Sequence, residues 1–116
     1  MSPRIDLITM SDPLQLAPPG RVVLVPGRGE MIVRDSGPET ARRGTALLLH
    51  GWMFGADLNW LTVYGPLQEA GYRVIAVDHR GHGRGIRSQR AFRLGDCADD
   101  CAGLLRLMET GPVTVV

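Results

Sequence analysis

Residues 45–49 read Thr-Ala-Leu-Leu-Leu and run directly into His50-Gly51-Trp52. Residues 73–77 repeat this pattern as Arg-Val-Ile-Ala-Val and run into a Gly-rich segment, Asp-His-Arg-Gly-His-Gly, at 78–83. Short apolar runs without alternation are typical of strands that are buried on both faces of a parallel sheet. We therefore expect two central strands, each ending in a tight turn.

The sequence before these strands predicts an antiparallel hairpin. Residues 21–25 and 30–34 are β-branched runs, and the turn residues Pro26-Gly-Arg-Gly29 separate them. Residues 35–44 contain a Gly-Pro pair and two adjacent arginines, which predicts a surface loop. Residues 1–20 are Pro-rich and poorly periodic, and we interpret them as an N-terminal arm ahead of a domain at 21–116.

Helical spacing of apolar residues appears in two places. One helix is predicted over 58–70, with Pro66 as its kink or as the start of its second half and Gly71 as its stop. Another is predicted over 96–110, and residues 113–116 then open a third buried strand. The fold class is therefore α/β, a three-layer doubly wound sheet that is mostly parallel, with functional sites at the carboxyl ends of its strands.

The composition excludes several classes of function. All thirteen basic residues of the 116 are arginines, so Schiff-base chemistry and a Walker-type phosphate loop are impossible. The net charge of +1 gives no global attraction to nucleic acid or to an anionic membrane. Five arginines without an intervening acid occupy positions 80–93, and such a run is usually a solvated face. Its alternative interpretation is an anion-binding or RNA-binding surface.

The remaining composition points to a cytoplasmic protein. The longest nearly apolar run, 46–56, is far shorter than the ~20 residues that span a bilayer. Residues 1–20 lack the apolar stretch of a secretory signal. Cys97 and Cys101 share one helix face, where two reduced thiols packed as small apolar groups are expected in place of a disulfide or a metal pair.

Two motifs stand at the carboxyl ends of the central strands. In His50-Gly51-Trp52 the glycine allows a sharp turn that leaves the Trp52 N–H free to stabilise an oxyanion. In the segment 78–83, the side chains of Asp78, His79 and His82 would be the ligands of an alternative metal site, although we expect no metal and no cofactor. A dinucleotide fingerprint fails there, because Ile86 stands where its third glycine is required.

The order of these parts resembles the N-terminal part of an α/β-hydrolase, over about residues 22–116. The segments 47–52 and 71–83 carry most of the resemblance. It implies that Trp52 donates one oxyanion-hole N–H, with His50, Gly51 and Met53 beside it in the pocket. It also implies a structural turn that shapes the pocket without performing chemistry, formed by Asp78, Arg80, Gly81 and Gly83. One departure is Gly85, which stands where many members have Ser.

The resemblance also indicates which catalytic groups the sequence lacks. The family's nucleophile follows the strand that opens here at Val113, on a Gly-x-Ser-x-Gly elbow, and its acid and His come later. None of the serines in the sequence lies on such an elbow; these are Ser2, Ser11, Ser36 and Ser88. We therefore expect an incomplete hydrolase domain. Its full-length protein would cleave an ester or related bond of a small acyl substrate, and this chain alone would be inactive.

Three matters stay open at this point. The crevice between Trp52 and Asp78 could instead serve a non-catalytic module that binds a small apolar ligand. The scaffold is shared by esterase, thioesterase, peroxidase, dehalogenase and acyltransferase chemistry. The sequence does not indicate the oligomeric state.

Overall fold

The computed structural model describes residues 13–116, and the first two strands of its mixed sheet form a hairpin. Strands β1 (Gly20–Val25) and β2 (Gly29–Asp35) pair antiparallel, with Val22 opposite Ile32. The turn between them needs a positive φ at Gly27, which is +76°, and the Arg28 N–H closes it on the Val25 carbonyl at 3.0 Å. The predicted hairpin is confirmed.

The two apolar runs form adjacent parallel strands. Strands β3 (Gly44–Leu49) and β4 (Tyr72–Val77) pair with Leu47 opposite Ile75. Strand β5 (Thr114–Val115) pairs parallel with the other side of β3, and β2 runs antiparallel beside β4. The sheet order is β1-β2-β4-β3-β5, so the carboxyl ends of β3 and β4 lie side by side at one edge.

The helices cover both faces of this sheet. They are α1 (Ala56–Trp60), α2 (Tyr64–Glu69) and α3 (Leu94–Met108), with short 3-10 helices at Pro13–Leu16 and Pro38–Thr40. The single helix predicted over 58–70 is wrong, because a turn separates α1 from α2. Pro66 lies in the first turn of α2, where its missing N–H costs no helical hydrogen bond. Gly71 ends the segment at a φ of +96°, as predicted.

Alternate residues of the central strands pack into two hydrophobic cores, one on each face of the sheet. Leu47, Ile75 and Val77 pack with Leu104 of α3 on one face. Leu48 and Val74 pack on the opposite face, against the α1 and α2 side. This three-layer arrangement confirms the predicted doubly wound α/β class.

The predicted loop at 35–44 is wrong at both ends, because Asp35 ends β2 and Gly44 begins β3. Asp35 is the last residue of β2, and its nearly buried carboxylate accepts hydrogen bonds from Arg73 Nε and Nη2 at 2.9 and 2.8 Å. A strand end that carries a buried ion pair cannot be recognised from loop composition, because the partner lies 38 residues away.

Part of the predicted N-terminal arm, residues 1–12, lies outside the described residues. Its remaining part contacts the domain, because the Leu16 carbonyl accepts a hydrogen bond from Gln68 and the Pro18 carbonyl accepts one from Arg34, both at 2.7 Å. The boundary at residue 20 stays a prediction. Every helix within residues 13–116 falls short of the length and apolar character that a bilayer crossing requires.

Candidate functional site

The turn after β3, residues 50–55, presents three of its side chains to solvent, whereas His50 is buried. Trp52, Met53 and Phe54 are 66%, 74% and 53% exposed. The Phe54 N–H donates to the Gly51 carbonyl at 3.2 Å, and Met53 has a φ of +68°. These are the features of a type II turn, whose third residue occupies the left-handed region. We call this segment the β3 turn.

His50 anchors the β3 turn from below. Its Nδ1 lies 2.8 Å from the Gly51 carbonyl oxygen, and its Nε2 lies 2.8 Å from the backbone N–H of His79. A carbonyl only accepts and an amide N–H only donates, so the pair of contacts requires a neutral ring with its proton on Nδ1. His50 therefore ties the β3 turn to the segment that follows β4.

The peptide between Gly51 and Trp52 is held by its carbonyl end. That carbonyl accepts from both His50 and Phe54, while the Gly51 N–H donates to Asn59 Oδ1 at 3.0 Å. The peptide is planar and trans, so a fixed carbonyl also fixes the opposite direction of the Trp52 N–H. Within residues 13–116 no acceptor takes up this N–H. It is a donor of fixed direction without an internal partner.

The turn after β4, residues 78–86, is built in the opposite way, and we call it the β4 turn. The Asp78 carboxylate accepts the Ala56 N–H at 2.8 Å and the Arg84 N–H at 2.9 Å. Burial opposes ionisation of Asp78, but these two N–H groups and the Arg84 guanidinium lower the pKa of the carboxyl below its ordinary value. Asp78 thus binds the first residue of α1 to the β4 turn.

Arg80 points into the protein instead of into solvent. Its guanidinium donates two hydrogen bonds to Asp100 of α3, at 2.7 and 2.6 Å, and Arg28 of the hairpin turn donates a third. Asp100 is only 2% exposed, and although burial opposes its ionisation, the two arginines lower its pKa. One carboxylate therefore joins the hairpin, the β4 turn and α3.

The glycines of the β4 turn allow close backbone approach. Gly81 and Gly83 have φ values of +77° and +44°, and the Gly81 N–H donates to the Ile86 carbonyl at 2.8 Å. A Cβ at Gly83 would overlap the Asp78 carboxylate, and one at Gly85 would overlap the carbonyl oxygens of Asp78 and His79. The glycine at position 85 thus allows a close backbone approach that an added Cβ would disturb.

A crevice of about 90 Å³ opens between the two turns. The β3 and β4 turns contribute five of its lining residues, which are His50, Gly51, Trp52, His79 and His82. The others come from α3 and the loop before it, namely Phe92, Leu94 and Cys97. The rings of Trp52 and Phe92 meet edge to face at 5.0 Å, and the rings of Trp52 and His82 do so at 5.1 Å.

The imidazoles around the crevice do not form a metal centre. Within residues 13–116 no three His, Cys, Asp or Glu side chains are placed to hold a metal ion. Asp78 is occupied by N–H donors, and the rings of His50 and His79 stand 4.5 Å apart. Burial and the neighbouring imidazoles of His50 and His82 lower the pKa of His79, so its ring favours the neutral form.

The arginine run is not one solvated face, and that prediction is wrong for Arg80. Arg84 is half exposed and contacts both Asp57 and Asp78 at 3.5 Å. Arg87, Arg90 and Arg93 are exposed. The run therefore divides into an interior part that holds the β4 turn and a solvent-facing part of three cations.

Sequence reasoning missed Asn59, Phe92 and Asp100 as members of this site. Asp100 had a detectable signal, because it lies three residues after Cys97 and four before Leu104, on the buried stripe of α3. Asn59 and Phe92 had none, since a partly buried amide or a loop aromatic carries no periodicity. All the predicted pocket residues line the crevice except Met53, whose side chain projects into solvent.

The chain matches known proteins over part of their length. The profile described as the Alpha/beta hydrolase family matches residues 46–116. Epoxide hydrolase B of Mycobacterium tuberculosis is 37% identical over 75 residues, which cover 63% of this chain and 20% of that protein. A non-heme chloroperoxidase of Kitasatospora aureofaciens is 34% identical over 70 residues, which cover 60% of this chain and 25% of that protein. The crystal structure of bromoperoxidase from Bacillus anthracis superposes with a TM-score of 0.70 at 26% identity, covering 84% of this chain and 34% of that chain.

Proposed function

Because the chain belongs to the alpha/beta hydrolase family, we propose that it supplies the oxyanion donor and one pocket wall of a hydrolase that cleaves an ester or related acyl bond. The chain spans between a fifth and about a third of the length of the relatives it matches. The reaction is thus assigned to the full-length protein and a small acyl substrate. We assign no catalytic turnover to residues 1–116 alone.

The orientation of the Gly51–Trp52 peptide carries this proposal. Attack on an acyl carbonyl creates a negative oxygen, and N–H donors that are already fixed in direction stabilise it without reorganisation. The Trp52 N–H is such a donor, because His50 and Phe54 hold the carbonyl of the same peptide. It also lies at the carboxyl end of β3, the edge where doubly wound sheets place their sites.

The other parts of the site are assigned supporting roles. Asp78, Arg80, Gly81 and Gly83 hold the β4 turn and thereby the crevice wall, and they take no chemical step. His50 is a positioning residue, since both of its nitrogens are occupied by backbone groups. None of the serines in residues 1–116 is proposed as the nucleophile. The buried free thiols Cys97 and Cys101 fit the proposed cytoplasmic location.

The test removes the Trp52 N–H without removing the turn. Proline is favoured at the second position of a type II turn, so Trp52→Pro deletes the donor and keeps the backbone conformation. The variant is made in residues 1–116 joined to a C-terminal α/β-hydrolase segment that carries the Gly-x-Ser-x-Gly elbow, the acid and the His. We expect Trp52→Pro to lower kcat for a p-nitrophenyl ester by roughly 10²- to 10³-fold.

Trp52→Ala is the matched control, because it also removes the indole ring but keeps the N–H. The oxyanion assignment is wrong if the Trp52→Pro and Trp52→Ala fusions hydrolyse the ester at equal rates. The unfused chain is assayed beside them. Ester hydrolysis above the buffer rate by that chain would contradict the assignment of no turnover to residues 1–116.

A further inference from the structure

The crevice between the two turns contains no carboxylate and no guanidinium. Its eight lining residues include no Asp, Glu or Arg, and its polar side chains are the imidazoles of His50, His79 and His82 and the Cys97 thiol. Arg80 and Asp100 form an ion pair with each other through two hydrogen bonds. A charged ligand would therefore lose water on entry and gain no opposite charge, which is strongly unfavourable.

The size of the crevice limits what it can hold. Its volume is about 90 Å³. An engineered apolar cavity that binds benzene measures roughly 150 Å³. The inner part of this crevice is thus too small for a whole aromatic ring and suits a short chain of a few carbon atoms.

Phe92 is one wall of this crevice. It lies in the loop before α3, outside both turns, and its ring meets the Trp52 ring at 5.0 Å and the His82 ring at 5.8 Å. The ring is 41% exposed, so it is only partly packed and is not a member of either core. Removing it would lengthen the crevice without opening the interior of the sheet.

We propose that this crevice binds the short, uncharged acyl chain of the substrate and that Phe92 sets the longest chain accepted. The inference rests on the proposed function, because it names the acyl group of that same site. Trp52 lines the crevice and its N–H has no acceptor within residues 13–116, so the proposal places the acyl chain of a carbonyl bound by this N–H in the neighbouring crevice. Phe92 is thus a specificity-determining residue.

Cys97 provides a direct probe of the crevice, because its side chain lines it. A methanethiosulfonate transfers its alkylthio group to the thiolate, forming a mixed disulfide and releasing methanesulfinate. The reagents are the methyl, the butyl, the negatively charged sulfonatoethyl and the positively charged trimethylammonioethyl forms. Rates are measured by intact mass and peptide mapping of the folded 116-residue chain, at a single pH. Burial raises the pKa of both thiols, to about 12 for Cys101. Cys97 and Cys101 are both buried, at 4% and 6% exposed, but only Cys97 lines the crevice, so Cys101 serves as the internal reference.

We expect the methyl reagent to label Cys97 at least tenfold faster than either charged reagent, after correction for their rates with a free thiol. Both signs of charge are needed because the nearby arginines attract the negative reagent and repel the positive one. Equal corrected rates for neutral and charged reagents would overturn the inference. So would labelling of Cys97 no faster than that of Cys101.

The role of Phe92 is tested by chain length. Phe92→Ala is expected to raise the ratio of butyl to methyl labelling at Cys97 at least fivefold. Leu58→Ala, which removes a 79% exposed leucine outside the crevice, is expected to leave the ratio unchanged. An unchanged ratio in Phe92→Ala, with its thermal unfolding like that of Leu58→Ala, refutes the assignment. Labelling involves no ester cleavage, so its outcome is distinguishable from failure of the proposed hydrolase function.

Discussion

The β3 turn and the β4 turn follow parallel strands of similar sequence, but they are built differently. The β3 turn exposes three consecutive large apolar side chains and places a non-glycine residue in the left-handed region. The β4 turn buries Asp78, Arg80 and His82 to 9% exposure or less. The β3 turn therefore presents the Gly51–Trp52 peptide, and the β4 turn holds the structure around it.

The contacts between the turns explain why both are needed. The His79 N–H fixes the ring of His50, which in turn fixes the Gly51 carbonyl. Asp78 fixes the start of α1 directly after the β3 turn. The Trp52 N–H has no internal acceptor within residues 13–116, so it stays oriented only when its neighbours cannot move. The hydrogen bonds of the β4 turn provide the rigidity that the β3 turn lacks. Four substitutions test this difference between the turns.

The largest effect is expected for Asp100→Ala. It leaves Arg80 buried without a counter-charge and releases Arg28, and breaking a buried ion pair from one side costs about 3–5 kcal/mol. Urea unfolding of the variant measures this loss in the free energy of unfolding. Asp99→Ala, at an exposed position on the same helix, is the control. Equal loss in the two variants would mean that the carboxylate does not hold the β4 turn.

Gly85→Ala is expected to follow, with a loss of about 1–3 kcal/mol in the free energy of unfolding. The added Cβ would overlap the carbonyl oxygens of Asp78 and His79, and a closely packed backbone can relieve this only by moving. Gly95→Ala is the matched control, because nothing lies within 4 Å of its Cβ position in α3. There alanine should stabilise the helix by up to about 1 kcal/mol. If both changes stabilise the chain, the close packing of the β4 turn is refuted.

Met53 tests the backbone of the β3 turn. A β-branched side chain tolerates the left-handed region poorly, so Met53→Val should lower the free energy of unfolding by about 1–2 kcal/mol. Met53→Gly should be neutral or stabilising, because glycine adopts this conformation without steric cost. Thermal unfolding of the two variants gives the comparison. Identical melting temperatures would indicate that the turn relaxes freely and does not fix the Trp52 N–H.

The smallest effect is a pH dependence that His79 contributes. Burial and the imidazoles of His50 and His82 lower its pKa in the folded chain below the unfolded value of about 6.5. The unfolded chain then binds a proton first as the pH falls, so the stabilisation is present above about pH 6.5 and is lost as the pH falls through the folded pKa. The free energy of unfolding should fall less between pH 7.5 and 5.5 in His79→Gln than in the parent chain. Parallel curves for the two would contradict the neutral assignment.

Much of the scaffold could be predicted from residues near one another in the chain. The apolar runs at 45–49 and 73–77 indicated parallel strands, and their positions placed both turns at one edge of the sheet. The split between α1 and α2 was missed because the apolar spacing continues across it, although the chain turns at Trp60–Val63. The burial of Arg80 was missed because an arginine in a basic run has the composition of a solvated face.

Local sequence is enough to fix the order of elements, the two buried strands and the glycines that let the backbone turn after them. Those features follow from local sterics and from the two- and 3.6-residue periods, which act over a few residues. Folding alone brings Arg28, Arg80 and Asp100 together, and it holds the Gly51 carbonyl while the Trp52 N–H stays open. Such pairings join groups up to 72 residues apart, and they exist only once strand register and helix packing have brought those groups within hydrogen-bond distance.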